Sequence, residues 1–323
     1  MNKYVNLHRL EYLVTYRCSS KCRHCLITAD HSGLPRHIDT GIAVRILRET
    51  GREYSLRSVM TFGGEPLLYP ETVCAIHEEA KALKIPSRQV ITNGYWTKDE
   101  RKTRVIAQAL ADSGVNKVSI SVDAFHQEYV PLERVKHSAR SLLDAGIGEV
   151  KWNPCWLVSE QDANDFNLKT KAVLAELQKE LPIEVGSGNV MEPKGRVLDN
   201  FAGYFKPMFD WPVASCQDMP YMNKLDNLQS LCVEPNGDIP VCGVILGNAA
   251  NAAMNEILAG YNPYKHSHMK LILEEGIQGI IRKVHSLGLE FRKDGYYSIC
   301  DLCASLRDKI MGAGDREEEE EGK

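Results

Sequence analysis

His8-Arg-Leu-Glu-Tyr-Leu-Val-Thr-Tyr-Arg17-Cys18-Ser-Ser-Lys-Cys22-Arg-His-Cys25 decides how this chain is read. The part up to Arg17 is rich in aromatic and β-branched residues and predicts a strand. The three cysteines beyond it read C-x3-C-x2-C. Iron–sulfur clusters are normally held by four thiolates, so three leave one iron of a cubane open to a small molecule. The same thiols could hold zinc or simply be buried, although zinc sites favour paired C-x2-C or mixed Cys/His sets.

Working outward, a helical pattern starts at Asp39, with Ile42, Ile46 and Leu47 at helical spacing. Ser58-Val-Met-Thr-Phe62 is a short apolar strand that ends in Gly63-Gly64-Glu65-Pro66. A glycine pair lets backbone approach a ligand closely, and a glutamate beside it can accept hydrogen bonds from an ammonium group. Strands are expected at 88–92, 116–122, 149–157 and 183–190. Helices are expected at 99–113, 132–145 and 165–180, the last with Leu168, Val173, Leu174 and Leu177 as its apolar set. Strand alternating with helix implies a parallel sheet.

In order and context, the cysteine triplet and Gly63–Pro66 resemble the radical S-adenosylmethionine (SAM) enzymes. The resemblance implies an α/β fold, a partial (β/α)6 TIM-like barrel with a small C-terminal α+β auxiliary cluster domain. It implies a [4Fe-4S] cluster on Cys18, Cys22 and Cys25, with His24 at the motif's aromatic position. Gly63, Gly64, Glu65 and Pro66 would meet the methionine amino group of SAM. Polar residues at the C-terminal ends of barrel strands are where active sites sit. Thr92, Ser121, Asp123, Lys151, Asn153 and Met191 match further SAM-contacting positions, with Lys151 meeting the SAM carboxylate. Glu192-Pro-Lys-Gly195-Arg196 resembles a segment that closes this barrel. Asp123 and His126, with Glu128 beyond them, form an acid–imidazole–acid run that would bind substrate, transfer protons or face solvent.

Beyond residue 205 the character changes, and Phe201 to Pro212 is aromatic and proline-marked. Residues 1–205 are expected to form the barrel, 206–310 an auxiliary domain and 311–323 an acidic disordered tail. Leu231 to Cys242 reads as a β-hairpin turning at Asn236-Gly237, and Cys300-Asp-Leu-Cys303 is a C-x2-C pair. This region resembles the Twitch domain, a shortened SPASM extension, which implies a second [4Fe-4S] cluster. Cys216, Cys242, Cys300 and Cys303 are its expected ligands. The usual window for the upstream cysteine is empty here, so Cys232 remains an alternative to Cys216, and zinc on the same thiolates remains open. Cys74 and Cys155 read as core thiols, with the option that Cys155 faces the barrel lumen.

The chain has 323 residues, a net charge of −4 and a hydrophobic fraction of 43%. That supports a sizeable core and indicates no broad nucleic-acid surface. No secretion signal and no long apolar run occur, so a cytoplasmic location without a membrane partner is expected. Ten cysteines then point to metal binding in a reducing compartment rather than to disulfides.

The resemblance implies reductive cleavage of SAM to a 5′-deoxyadenosyl radical that removes a hydrogen atom from substrate. It also implies an electron donor of the flavodoxin or ferredoxin type. If Cys232 is the thiol left over by the auxiliary cluster, it is a candidate hydrogen donor, as in peptide epimerases with a Twitch-like domain. The leading expectation is modification of a ribosomally made peptide, by epimerisation first and by thioether or C–C crosslinking next. Oxidation of a small molecule in natural-product biosynthesis is the runner-up. A non-catalytic iron–sulfur or zinc protein is the third reading. The molybdenum-cofactor cyclases, whose tail ends in Gly-Arg-Gly-Gly, fit less well.

Overall fold

The structure is a computed structural model that describes residues 2–27, 33–210, 216, 222–307 and 310; the expected acidic tail lies outside them. The described residues divide into two compact units. One comprises Leu7–Met191 and Ser230–Ile257. The other comprises the residues up to Asn6, Glu192–Gln229, and those from Leu258 onward.

The first unit is a strand–helix repeat. Strands β1 (Val5–Leu13), β2 (Ser58–Phe62), β3 (Ser87–Thr92), β4 (Lys117–Ser121), β5 (Glu149–Asn153) and β7 (Glu184–Val185) run parallel. Between them come α1 (Thr40–Glu53), α2 (Pro70–Ala82), α3 (Glu100–Asp112), α4 (Leu132–Asp144) and α5 (Asp165–Glu180). With β9 (Leu228–Val233) the sheet has seven strands in the order β7-β5-β4-β3-β2-β1-β9. This α/β arrangement is the expected partial barrel.

Alternation sorts the sheet's two faces. Leu10 and Tyr12 are fully buried, and the Tyr12 hydroxyl donates to the Ala43 carbonyl on α1 at 2.9 Å. That face packs on helices through Ile46, Leu47, Val59, Val90, Val118 and Ile120. Glu11, Gln89, Ser119 and Lys151 point to the opposite, inner face, which is polar. Helix starts follow local chemistry: the Asp39 and Asp99 carboxylates cap α1 and α3 by accepting from backbone N–H groups of the first turn.

Three expectations are corrected. The strand read over 149–157 breaks at Pro154, which cannot donate to a ladder, into β5 and β6 (Cys155–Trp156). The strand read over 183–190 breaks at Gly186 and Gly188 into β7 and β8 (Asn189–Val190), and β8 pairs with β6. Leu168, assigned to the apolar face of α5, is 51% exposed, while Asn167 and Thr170 are buried there. Their side chains bond to local backbone, which offsets the cost of burial.

The hairpin also shifts. Gly237, at φ +89°, turns the chain as expected, but β10 (Asp238–Val241) pairs with β11 (Val244–Asn248) and not with β9. The tight turn joining them is Cys242-Gly243, both at positive φ, the backbone of a type I′ turn. Among its described residues the second unit holds α6 (Arg196–Phe201), α8 (Ser267–Ser286), which is broken at Gly276, and a helical stretch at 299–307. Helix α7 (Met254–Gly260) runs across the unit boundary.

Leu142, fully buried on α4, and Leu168 give a direct contrast. Leu142→Ala is expected to cost about 2–5 kcal/mol, and Leu168→Ala no more than about 0.5 kcal/mol. Urea unfolding of the two variants measures this.

Candidate active site

The loops after β1 and β2 run side by side as backbone. Val14 N donates to Phe62 O at 2.8 Å, Gly64 N to Thr15 O at 2.7 Å and Glu65 N to Arg17 O at 2.7 Å. Glycine is needed here because a Cβ on Gly64 would lie 2.0 Å from the Arg17 carbonyl oxygen, and one on Gly63 2.6 Å from that of Thr15. The pairing delivers Cys18, Cys22 and Cys25 to the C-terminal edge of the sheet. There they line a cavity of about 290 Å³ with Gly63, Gly64 and Thr92.

Glu65 is fully buried, yet it does not face the cavity. Its carboxylate accepts from Leu67 N at 3.1 Å, Thr92 Oγ1 at 2.8 Å and Asn93 N at 2.8 Å. Burial pushes its pKa up to about 7, although these donors pull the other way. It therefore fastens the glycine loop to the end of β3. The next link is Asn93, whose side-chain amide donates towards Ser19 Oγ at 3.0 Å, Ser20 Oγ at 3.2 Å and Cys18 Sγ at 3.5 Å.

The loop after β4 holds the other side of the cysteine loop. Arg23 makes a two-pronged contact with the Glu128 carboxylate, at 3.1 and 2.5 Å, and lies over the Phe166 ring at 5.3 Å. The His24 ring packs on Phe125 and edge-on to His126, with centroids 5.1 Å apart in each case. Asp123, fully buried, accepts from His126 Nδ1 at 2.8 Å and from Cys155 N at 3.1 Å. Burial alone would raise the Asp123 pKa, but His126 beside it outweighs that and lowers it.

Of the residues expected to meet SAM, His24, Gly63, Gly64, Thr92 and Ser121 line the cavity, as does His126. Pro66 is buried and opens the short helical turn after Glu65. Asn153 stands beside Ser121 in the sheet register. Lys151 lies further down the inner face, its ammonium 3.1 Å from Glu184 and 3.3 Å from Glu149. Met191 is buried and its backbone N donates to Trp156 O at 2.9 Å.

Cys155 is closer to the chemistry than a core thiol would be. It shares Asp123 with His126, and burial, then the nearby Asp123, Cys22 and Cys25, raises its pKa well above the ordinary value. Pro154, which ends β5, was the available signal. Asn93 had one too: an asparagine between a strand end and Gly94, which is at φ +76°. Of the expected auxiliary ligands, Cys216, Cys300 and Cys303 belong to the second unit and Cys242 to the first, as does Cys232. Cys300 and Cys303 sit one turn apart on the helical stretch 299–307.

The donor set fits the implied cluster. Three soft thiols suit iron–sulfur chemistry, and two side-chain-free glycines leave room for a ligand beside them. Among the described residues no three His, Cys, Asp or Glu side chains close on a single-ion site. The triplet lines a cavity.

Glu65 makes stability depend on pH in a definite sense. Its folded pKa of about 7 lies above the ordinary 4.5, so its stabilising share is complete at low pH and is lost as pH rises through about 7. Urea midpoints of the cluster-free chain should fall between about pH 5 and pH 8 by an amount equivalent to up to about 3 kcal/mol from this group. Glu65→Gln should flatten that part of the profile.

Residues 12–146 match the sequence model of the radical SAM superfamily. A probable GTP 3′,8-cyclase of Methanocaldococcus jannaschii is 26% identical over 154 residues, covering 46% of this chain and 49% of that protein. A GTP 3′,8-cyclase of Clostridium acetobutylicum is 24% identical over 210 residues, 59% of this chain and 61% of that one. The chain thus aligns with about half to three-fifths of these curated relatives. Among solved structures, native anSMEcpe with bound AdoMet superposes with a TM-score of 0.52 at 17% identity, covering 84% of each chain; that likeness is one of fold. No helix among the described residues is long and apolar enough to cross a membrane. With the cysteine triplet, the glycine cradle and the parallel sheet in one unit, the chain carries a radical SAM domain over residues 12–146, and the enzymes of that superfamily use a [4Fe-4S] cluster and SAM.

Proposed function

We propose that this radical SAM enzyme modifies a peptide, and that the modification is inversion of an L-residue. The observation that carries the reading is the position of Cys232. It lies on β9, beside β1 in the sheet, within electrostatic range of Glu11 on the inner face and of Tyr16, which lines the cavity. Burial first, and Glu11 next, push its thiol pKa up to about 12. A thiol in that setting stays protonated, and it belongs to the same unit as the cysteine triplet.

Cys18, Cys22 and Cys25 would hold the SAM-binding cluster, and the backbone of Gly63 and Gly64 would take the amino group of SAM. Cluster and SAM together supply a one-electron reduction that yields a radical able to remove a substrate hydrogen atom. Cys232 would return a hydrogen atom from another side: its S–H bond breaks, a C–H bond forms, and the sulfur radical left behind takes an electron from a flavodoxin- or ferredoxin-type donor and a proton from solvent. The polar inner face, with Gln89 bonded to Ser119 at 3.0 Å and Lys151 between two carboxylates, suits an amide-rich substrate. A second cluster that does not draw on Cys232 would leave its thiol available for this role. The sequence relatives favour a second reading, cyclisation of GTP, in which Cys232 needs no part.

Two measurements test this. After anaerobic reconstitution, iron per chain should be about eight, falling to about four in Cys18→Ala/Cys22→Ala/Cys25→Ala, if both clusters are present. About four falling to none would remove the auxiliary cluster. Assays in D₂O with a pooled library of synthetic peptides, or with GTP, should give a peptide product heavier by one deuterium. Cys232→Ala should abolish the label while 5′-deoxyadenosine still forms. A cyclised product from GTP, or an oxidised product without deuterium, would replace the peptide reading.

A further inference from the structure

The Asp123–His126 pair has a geometry that the proposed hydrogen transfer does not use. The Asp123 carboxylate accepts four N–H groups: Phe125 N at 3.0 Å, His126 N at 2.9 Å, Cys155 N at 3.1 Å and His126 Nδ1 at 2.8 Å. A carboxylate has about four lone-pair sites, so Asp123 has no acceptor capacity left over for a ligand. Because an ionised carboxylate only accepts, Nδ1 is the protonated nitrogen towards Asp123. Nε2 is then the atom the ring can offer elsewhere.

The ring's surroundings settle where it is offered. His24 packs edge-on against it, its side chain keeps 16% exposure, and it lines the same cavity as Cys18, Cys22, Cys25 and Ser121. Burial alone would favour a neutral ring. Asp123, with Glu65 behind it, outweighs that and raises the pKa of His126, which favours the ring form with an N–H on both nitrogens.

Lys151, the residue the family resemblance points to for the SAM carboxylate, is engaged elsewhere. Its ammonium lies between Glu149 and Glu184 and does not line the cavity. Lys21 does line the cavity, but it is exposed on the cysteine loop.

We propose that His126 Nε2 receives the carboxylate of SAM, with Asp123 as the residue that positions it. The assignment rests on the radical SAM domain and not on the peptide reading. It can be tested without any substrate.

The test is equilibrium binding of SAM and of decarboxylated SAM, which keeps the sulfonium, ribose and adenine but lacks the carboxylate. Wild type, His126→Asn, Lys151→Met and Lys21→Met are compared after matching their iron content and absorbance near 400 nm. Wild type should prefer SAM. In His126→Asn that preference should shrink about tenfold or more, the size of a lost charge-assisted hydrogen bond. Both lysine variants should keep it. His126→Phe, which keeps an aromatic ring but has no N–H donor, replaces His126→Asn if the latter does not load its cluster. An unchanged preference in the histidine variants, or a loss of preference confined to Lys151→Met or Lys21→Met, overturns the assignment. Because only cofactor binding is read, such a failure leaves the role of Cys232 untouched.

Discussion

A buried carboxylate organises the cofactor end of this barrel. Glu65 receives hydrogen bonds from its own turn and from the end of β3, with no solvent to share the work. A buried charge is costly unless it is fully paired, so the loops after β2 and β3 have essentially one satisfactory arrangement. Asn93 passes that constraint on, because its backbone N–H is held by Glu65 and its amide holds Ser19, Ser20 and Cys18. The first cysteine is thus placed by a glutamate that does not line the cavity.

The other end of the cysteine loop is held differently. Arg23 and His24 alternate between the cysteines, and both dock on the loop after β4, through Glu128 and through the rings of Phe125 and His126. The rigid part of that loop is again a buried carboxylate, Asp123, with every acceptor site in use. Two buried, hydrogen-bonded carboxylates beyond the ends of β2 and β4 therefore hold a cysteine loop that has no regular secondary structure. Preorganisation of this kind matters for a site that must exclude stray hydrogen donors, because a loosely held loop would admit water.

How much of this was legible in the sequence follows from the range of the interactions involved. The barrel repeat was readable because strand and helix periods are local, and α5 runs over Asp165–Glu180 as its pattern indicated. The cysteine triplet and Gly63–Pro66 were readable because their spacing is local too. What could not be read was pairing at a distance. Nothing in Leu231–Cys242 says that β9 joins β1 while β10 turns back at Cys242-Gly243 to meet β11. Glu65 was expected to meet a ligand because it adjoins the glycine pair; only the fold shows its oxygens accepting from Leu67, Thr92 and Asn93. Leu168 failed for a related reason, since Asn167 and Thr170 take the inner positions of α5 once backbone groups are there to bond them.

The same reasoning bears on the two cavity-side thiols. Cys155 and Cys232 both lie in the barrel unit, and burial raises the pKa of both. They differ in their neighbours. Cys155 adjoins Asp123 and the cysteine triplet, whereas Cys232 adjoins Glu11 and Tyr16 on the opposite flank of the sheet. A thiol beside the triplet would compete with the substrate as a hydrogen source at the start of the reaction. Position rather than acidity therefore separates them.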